Sequence, residues 1–193
     1  MAGATAGSRY GPTMRVVGGT ARGRRLVAPP GDGTRPTSDR VREAVFNSLW
    51  SRGAVEDATV VDLFAGSGAL GIEALSRGAA HATFVDDDAL AREAIGENLR
   101  ATGLAERADV VADRAERFLQ RRAGRPFDLA FCDPPYAYDG WEGLLAALPA
   151  DLVVIETGAE LALPDGWEAV RSTRYGRTWV TFGASRSRWG GGE

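Results

Sequence analysis

The sequence has little of the chemistry on which disulfides and transition-metal sites depend. Among its 193 residues there is one cysteine, Cys132, and one histidine, His81. A single cysteine cannot form an internal disulfide, and these two side chains cannot supply the ligands of a zinc site. We therefore expect no metal and no thiol nucleophile, although an all-carboxylate cation site stays open.

Long apolar runs are also missing. No stretch approaches the roughly 20 residues of a transmembrane helix, and the first residues, MAGATAGSRYGPT, lack the apolar core of a signal peptide. The apolar fraction of 44% and the charged fraction of 25% are ordinary for a globular protein. The sequence predicts one core domain with an elaboration, located in the cytoplasm and without a membrane partner.

Lysine is absent, because all 23 basic residues are arginines, and these are unevenly distributed. Residues 1–42 hold eight arginines against two aspartates, a net charge of +6, whereas the rest of the chain carries −9. A basic extension on an acidic domain indicates a polyanionic partner. The alternative is a solvated, flexible arm. The eight are Arg9, Arg15, Arg22, Arg24, Arg25, Arg35, Arg40 and Arg42.

The order of apolar segments predicts the fold. MRVVGG and RRLVAPP are expected to form a basic β-hairpin extension over residues 14–37. A helix should follow in RPTSDRVREAVFNSLW, with Thr37 or Ser38 as its N-cap. From residue 59 strands and helices alternate, and the last two strands flank Gly176. Residues 38–183 are thus predicted to be an α/β domain with a doubly wound, mostly parallel seven-stranded sheet and a C-terminal antiparallel hairpin. Residues 1–13 and 184–193 are expected to be flexible tails.

A glycine-rich turn joins the first strand of this series to its helix. The segment VVDLFAGSGALG places Gly66, Gly68 and Gly71 in the pattern G-x-G-x-x-G, which lets a ligand approach the backbone closely. A dinucleotide would set its pyrophosphate on the helix N-terminus and its ribose on Asp86, about 20 residues later. Asp62 would repel a pyrophosphate but attract the α-ammonium group of S-adenosylmethionine. The pattern therefore favours S-adenosylmethionine over a dinucleotide or an unliganded turn.

Two further residues are candidates for the adenine end of this cofactor. Asp113 ends the third strand, in ADVVAD, where its carboxylate can accept a hydrogen bond from the adenine amino group. Arg114 follows it and can flank the ring. Both residues are equally typical of a helix start, so the two interpretations stand side by side.

The fourth strand, FDLAFC, ends in Asp133, Pro134, Pro135 and Tyr136. In a doubly wound sheet the carboxyl ends of the first and fourth strands meet where the strand order reverses, so this segment should lie beside the glycine loop. An exocyclic base amine is a poor nucleophile, because its lone pair is delocalised into the ring. The Asp133 side chain and the Pro134 carbonyl, held by the rigid prolines, would grip its hydrogens, and Tyr136 would stack on the base. The alternative is a rigid loop with an exposed aromatic.

With DPPY after the fourth strand and VDLFAGSGALG before it, the chain resembles the amino-directed nucleic-acid methyltransferases of class I. Two further segments, RVVGGTARGRRL and RPTSDRVREAVFNSL, make the family resemblance more specific. They resemble the bacterial small-subunit ribosomal RNA guanine-N2 methyltransferases of the RsmD type. The resemblance covers about Met14 to Phe182.

This resemblance implies a substrate and a site. It implies guanine 966 of 16S ribosomal RNA as the target, in a subunit under assembly, and S-adenosylmethionine as the methyl donor without a metal. Asp62, Gly66 and Gly68 would hold the methionine end of the donor and Asp86 its ribose, although FVDDD offers Asp87 and Asp88 as well. Asp133 to Tyr136 would hold the guanine. The basic hairpin would engage RNA through Arg15, Arg22, Arg24, Arg25, Arg35 and Arg40, and the segment RPT would lie near the active site.

Three other functions remain as alternatives. The first is an adenine-N6 DNA methyltransferase, since DPPY suits an adenine amine too, but we expect no separate target-recognition domain in a chain of this length. The second is a nicotinamide-dependent dehydrogenase, which Asp62 and DPPY disfavour. The third is a noncatalytic RNA-binding module, which would bind the cofactor without methyl transfer.

Overall fold

The computed structural model describes residues 14–29, 38–122 and 126–186. A two-stranded antiparallel hairpin, β1 (Met14–Arg15) and β2 (Arg25–Leu26), precedes a seven-stranded sheet. The strands of this sheet are β3 (Thr59–Leu63), β4 (His81–Val85), β5 (Ala108–Val111), β6 (Phe127–Cys132), β7 (Ala150–Thr157), β8 (Trp167–Tyr175) and β9 (Thr178–Ser185). The helices are α1 (Asp39–Trp50), α2 (Ala69–Ser76), α3 (Ala89–Thr102), α4 (Ala115–Arg121) and α5 (Trp141–Ala147), with a 3₁₀ turn at Ala105–Arg107.

The sheet has the order β5-β4-β3-β6-β7-β9-β8. The first five strands in that order are parallel, and β7–β9 and β9–β8 pair antiparallel. The doubly wound sheet with a C-terminal antiparallel hairpin, predicted from the sequence, is therefore confirmed. Strand order reverses between β3 and β6, and parallel strands open a ligand crevice at such a point, outside their carboxyl ends.

Two apolar layers cover the sheet. Residues of α1, α2, α3 and the N-terminal hairpin form one core, in which the Phe46 and Phe131 rings lie 5.6 Å apart. Residues of α4 and α5 form the other core, with Leu119, Leu144 and Leu145 buried. Because both faces are covered, the central strands are apolar almost throughout.

Some predicted boundaries differ from the structure. Each strand of the N-terminal hairpin has only two residues, since Gly19 and Gly23 adopt positive φ in the connection and turn the backbone out of the ladder. Ser38 is the N-cap of α1, and its side chain accepts a hydrogen bond from the Val41 N–H. Strand β9 continues to Ser185, so residues 184 and 185 belong to the sheet, two residues past the predicted tail boundary. The segment RPT lies outside the described residues.

Candidate functional site

The glycine loop after β3 has a backbone that only a few residue types adopt readily. Gly66 and Gly68 have φ values of 55° and 74°, as the sequence pattern requires, but Phe64 also has a positive φ, 57°. A bulky residue in this region is strained. The Phe64 ring packs edge-on against Tyr138, 5.1 Å away, so the loop after β3 and the loop after β6 support each other.

Two aspartates hold this loop through its backbone N–H groups. Asp62 is buried, and its Oδ2 accepts a hydrogen bond from the Gly71 N–H at 2.9 Å. Asp86 Oδ2 accepts from the Gly66 N–H at 2.8 Å. Two donors of the loop and helix start are therefore already bound to carboxylates, which leaves fewer of them to receive a phosphate.

The electrostatics of the loop are negative. Burial raises the pKa of Asp62 well above its usual value, the Gly71 N–H lowers it, and the charges of Asp133 and Asp86 raise it further. Burial likewise raises the pKa of Asp86, against hydrogen bonds from the backbone of Gly66 and Asp88. Asp62 in β3, Asp86 just after β4 and Asp133 just after β6 thus form one acidic cluster, which favours a cationic ligand.

The structure separates the three consecutive acids of FVDDD. Asp86 is half-buried and faces the glycine loop. Asp87 is exposed. Asp88 is the N-cap of α3, and its side chain accepts a hydrogen bond from the Leu90 N–H. Of the three, Asp86 is the one placed against the loop.

Asp113 and Arg114 lie at the start of α4, as one of the two interpretations expects. Arg114 is the N-cap position without a side-chain capping bond, and its side chain is 72% exposed. The Asp113 Oδ1 accepts from the Arg114 N–H and lies 3.2 Å from the Nε of Arg117.

The segment after β6 lies across the crevice from the glycine loop, because β3 and β6 are neighbours with Leu63 paired to Cys132. Asp133 is half-buried, Pro134 is buried, and Pro135 and Tyr136 are exposed. The sequence-predicted juxtaposition of the two loops is thus present. Cys132 is fully buried, and burial raises the pKa of its thiol, so it has no character of a nucleophile.

A cleft of about 140 Å³ opens beside this segment. Its walls come from the loop after β6 and from the end of β7 with the residues that follow. Tyr136 stands at its mouth, 63% exposed, with its hydroxyl 3.4 Å from the Thr178 Oγ1 and its ring beside Gly158. The lining residues are Pro134, Pro135, Tyr136, Tyr138, Trp141, Glu156, Thr157, Gly158, Ala159, Glu160 and Leu161.

Sequence reasoning missed the side chains that attach the N-terminal hairpin to the domain. Glu73, fully buried in α2, accepts hydrogen bonds from the Val17 and Gly18 N–H groups, both at 2.7 Å. Asn98 in α3 accepts from the Val27 N–H and donates to the carbonyls of Val27 and Ser67. Asn98 therefore connects the hairpin directly to the glycine loop. The sequence did contain a signal for these contacts, because Glu73 and Asn98 are polar residues on the otherwise apolar faces of α2 and α3.

The predicted RNA-binding arginines divide into three groups. Arg22, Arg24 and Arg25 are exposed on the hairpin, while Ala21 and Leu26, on either side of this exposed run, are buried. Arg40 is exposed too, and Arg15 is 70% exposed and pairs with Asp39 at 3.1 Å. Arg35 lies outside the described residues.

Arg42 contributes to the +6 charge of the extension but not to its surface. It is fully buried and binds the Arg15 carbonyl at 2.6 Å and Asp39 at 2.7 Å, with its Nε 3.7 Å from Glu73. The basic count taken from the sequence therefore overstates the charge that a partner would meet.

Within the described residues no helix is long and apolar enough to cross a membrane. Over the same three ranges, no group of three or more histidine, cysteine or acidic side chains is arranged to hold a metal ion.

Comparison with known proteins places the chain among bacterial relatives. Ribosomal RNA small subunit methyltransferase D of Escherichia coli K12 is 42% identical over 158 residues, which span 78% of this chain and 78% of that protein. The protein of the same name from Haemophilus influenzae is 33% identical over 84% of this chain and 89% of its own length.

Solved structures resemble the chain over most of its length. A structure from Escherichia coli has a TM-score of 0.77 at 38% identity and covers 90% of this chain and 98% of its own. A hypothetical protein from Thermus thermophilus has a TM-score of 0.76 at 37% identity, covering 88% and 98%. The family model described as "Conserved hypothetical protein 95" matches residues 14–184, and the chain, with its relatives of the RsmD type, belongs to that family.

Proposed function

We propose that this protein is a ribosomal RNA methyltransferase that transfers a methyl group from S-adenosylmethionine to the N2 amine of a guanine in 16S RNA. The observation that carries the proposal is the position of Asp133 to Tyr136 beside the glycine loop, at the point where β3 and β6 reverse the strand order. The E. coli and H. influenzae relatives, named for methylation of small-subunit RNA, support the substrate class. Guanine 966 is the position that the resemblance implies. Such an enzyme would act in the cytoplasm, where ribosomes are assembled.

The residues around the glycine loop fit S-adenosylmethionine better than a dinucleotide. A pyrophosphate would meet the charge cluster of Asp62, Asp86 and Asp133, and the Gly66 and Gly71 N–H groups already bind carboxylates. A ligand with an ammonium and a sulfonium group is attracted by the same cluster. We assign Asp62, with Gly66 and Gly68, to the methionine end, Asp86 to the ribose hydroxyls, and Asp113 and Arg114 to the adenine.

S-adenosylmethionine, when bound, supplies a methyl group on a positively charged sulfur. The chain's own task is to present the guanine amine. In the proposed arrangement the Asp133 carboxylate and the Pro134 carbonyl accept the two N2 hydrogens, which favours a pyramidal nitrogen whose lone pair is no longer conjugated with the ring. Tyr136 stacks on the face of the base and holds the base in position. On accepting the methyl group the N2 nitrogen would become positive, and Asp133 would take the proton to which it is hydrogen-bonded.

The test is to incubate the protein and labelled S-adenosylmethionine with unmethylated naked 16S RNA, with small subunits that lack the modification, and with DNA. We expect labelled N2-methylguanosine from RNA, and the stronger substrate identifies whether an assembling subunit is the partner. Label in DNA N6-methyladenine would establish the alternative DNA methyltransferase. Tight NADH binding without methyl transfer would favour a dehydrogenase, and cofactor binding without transfer to any RNA would favour a noncatalytic module.

Two variants separate chemistry from cofactor binding in this assay. Asp133→Ala and Tyr136→Ala should abolish or sharply reduce transfer and leave the Kd for S-adenosylmethionine within a few-fold of wild type, because both residues face the base in this proposal. Asp139→Ala is the matched control, since it removes an exposed carboxylate from the same loop. Full activity in Asp133→Ala or in Tyr136→Ala would contradict its role.

A further inference from the structure

We infer that Glu156 is the residue that selects guanine over other amine-bearing bases. The inference rests on the proposed function and goes beyond it, because it assigns the choice of base to one side chain. Glu156 belongs to the run of buried residues at the end of β7, is only 4% exposed, and is among the residues that line the cleft beside Pro134 and Tyr136. A carboxylate at this depth in a ligand cleft accepts hydrogen bonds, and it disfavours a ligand that turns a second acceptor toward it.

The sheet register sets Glu156 next to the proposed amine-holding group. Strands β6 and β7 are parallel, and Cys132 is paired with Ile155. Asp133, the first residue after β6, and Glu156, in β7, lie one step past this pair, and neighbouring strands are about 4.8 Å apart. Side chains alternate along a strand, and Phe131 and Val154 both belong to the core under α1. Asp133 and Glu156 are therefore directed to the same face of the sheet.

Two neighbouring carboxylates match one edge of guanine. That edge carries the N2 amine, with two hydrogens, and next to it the N1–H. With Asp133 and the Pro134 carbonyl on the amine, Glu156 is placed to accept from N1–H. Adenine and cytosine each have an amine too, but the ring nitrogen beside it is an unprotonated acceptor. Against Glu156 that nitrogen would bring two acceptors together without a hydrogen, which a buried site penalises strongly.

The second carboxylate of the cleft provides a contrast. Glu160 also lines the cleft, but it is exposed, so water can satisfy it whatever base is bound. It follows the turn at Gly158, where the Thr157 hydroxyl donates to the Ala159 carbonyl at 2.6 Å. Its charge is screened, and the choice of base should not depend on it.

The experiment compares two RNAs that differ only at the methylated position. One carries guanine and the other 2-aminopurine, which keeps the 2-amino group but has an unprotonated N1; each is made by ligating a synthetic oligonucleotide and is assembled into subunits where the enzyme requires them. Wild type should prefer guanine by about 10- to 100-fold in kcat/KM, the worth of one charge-assisted hydrogen bond. Glu156→Gln can turn an amide N–H toward the unprotonated N1, so the preference should collapse or reverse.

The controls keep the failures apart. Glu160→Gln should retain the wild-type preference, and the Kd of Glu156→Gln for S-adenosylmethionine should stay within a few-fold of wild type. An unchanged preference in Glu156→Gln, or an equal shift in Glu160→Gln, would overturn the assignment while guanine methylation by wild type still supports the proposed function. If Glu156→Gln fails to fold, the wild-type protein provides the test. Equal methylation of both RNAs by wild type would show that no residue recognises the N1–H. Absence of any N2-methylguanosine with wild type would instead refute the proposed function.

Discussion

Asp62 and Asp86 are assigned to opposite ends of the proposed cofactor, Asp62 to the methionine end and Asp86 to the ribose. Asp62→Ala and Asp86→Ala should each weaken S-adenosylmethionine binding by about 1 to 3 kcal/mol, because each removes a charge-assisted or hydroxyl contact. Titration calorimetry on the folded variants measures the loss. Asp87→Ala is the control, since it removes the exposed neighbouring charge without touching the loop. Unchanged affinity in both of the first two variants would remove the cofactor assignment.

The raised pKa of Asp62 leads to a prediction about protons. Burial is the main cause, with Asp133 and Asp86 adding to it and the Gly71 N–H opposing it. A bound α-ammonium would favour the ionised carboxylate and lower this pKa, so binding should release a proton. Affinity should therefore rise with pH between the lowered pKa of Asp62 in the complex and its raised pKa in the free protein, and then level off.

Calorimetry in buffers of different ionisation enthalpy measures this proton release directly. Wild type should release protons in that window, and Asp62→Asn should release fewer and show a flatter dependence of affinity on pH. Asp86 has a raised pKa as well, so any release left in Asp62→Asn belongs to it or to other groups. Identical release by wild type and Asp62→Asn would exclude the ammonium contact.

The candidate residues whose position in the fold the sequence predicted share one property: each belongs to a short contiguous motif. Gly66, Gly68 and Asp133 to Tyr136 are of this kind, and the topology brings the two motifs together. Glu156 and Asn98 could not be found this way. The roles given to these two residues depend on strand register and on contacts with residues more than 20 positions away, and no local sequence pattern contains that information.

Among the secondary-structure elements, the β-strands of the domain were the most predictable, because apolar runs and alternating helices fix a parallel sheet. The N-terminal hairpin was less predictable. Its ladder has only two residues on each strand, so it depends on helix side chains for support. The sequence shows Arg42 and Glu73 as ordinary charged residues of amphipathic helices, whereas in the structure both are fully buried.

Helix α2 therefore has a structural role that can be tested at Glu73. Glu73→Ala should destabilise the protein by about 3 to 5 kcal/mol, because it leaves the buried Arg42 without its acidic neighbour on α2 and orphans the Val17 and Gly18 N–H groups. Urea unfolding monitored by circular dichroism gives the free energy of unfolding.

The control for Glu73 is Glu43→Ala, which removes an exposed glutamate from α1. This change should stay within about 0.5 kcal/mol of wild type. A Glu73→Ala protein as stable as Glu43→Ala would mean that the hairpin is held by its apolar contacts alone, through Val16, Leu26 and Ala28 in the main core.

For the whole molecule, the separation of charge is the property that matters to an RNA partner. The domain is acidic at the crevice, where Asp62, Asp86 and Asp133 interact, while the hairpin presents Arg22, Arg24 and Arg25 to solvent. The two regions meet through Asn98, which contacts both Val27 and Ser67. A basic hairpin anchored beside an acidic crevice would hold a polyanion at its phosphates and leave the crevice for a single base.

This arrangement predicts that the exposed hairpin arginines serve RNA and not the cofactor. The triple variant Arg22→Ala, Arg24→Ala, Arg25→Ala should bind RNA or subunits more weakly and with a flatter dependence of log affinity on log salt concentration. Each lost phosphate contact removes about 0.9 from the slope on duplex RNA, taking the value for B-form duplex, or about 0.7 on single strands. The Kd for S-adenosylmethionine should not change. Filter binding at several salt concentrations measures both affinity and slope.

The matched control is a triple variant of exposed arginines outside the hairpin, Arg52→Ala, Arg171→Ala, Arg174→Ala, in the turn after α1 and on β8. It removes the same charge but leaves the hairpin intact, so it should leave the salt slope nearer to wild type. If both triple variants lose slope equally, binding depends on overall charge and not on the hairpin. If the hairpin variant keeps both affinity and slope, the extension is a solvated arm, and the RNA must be recognised by residues around the crevice itself.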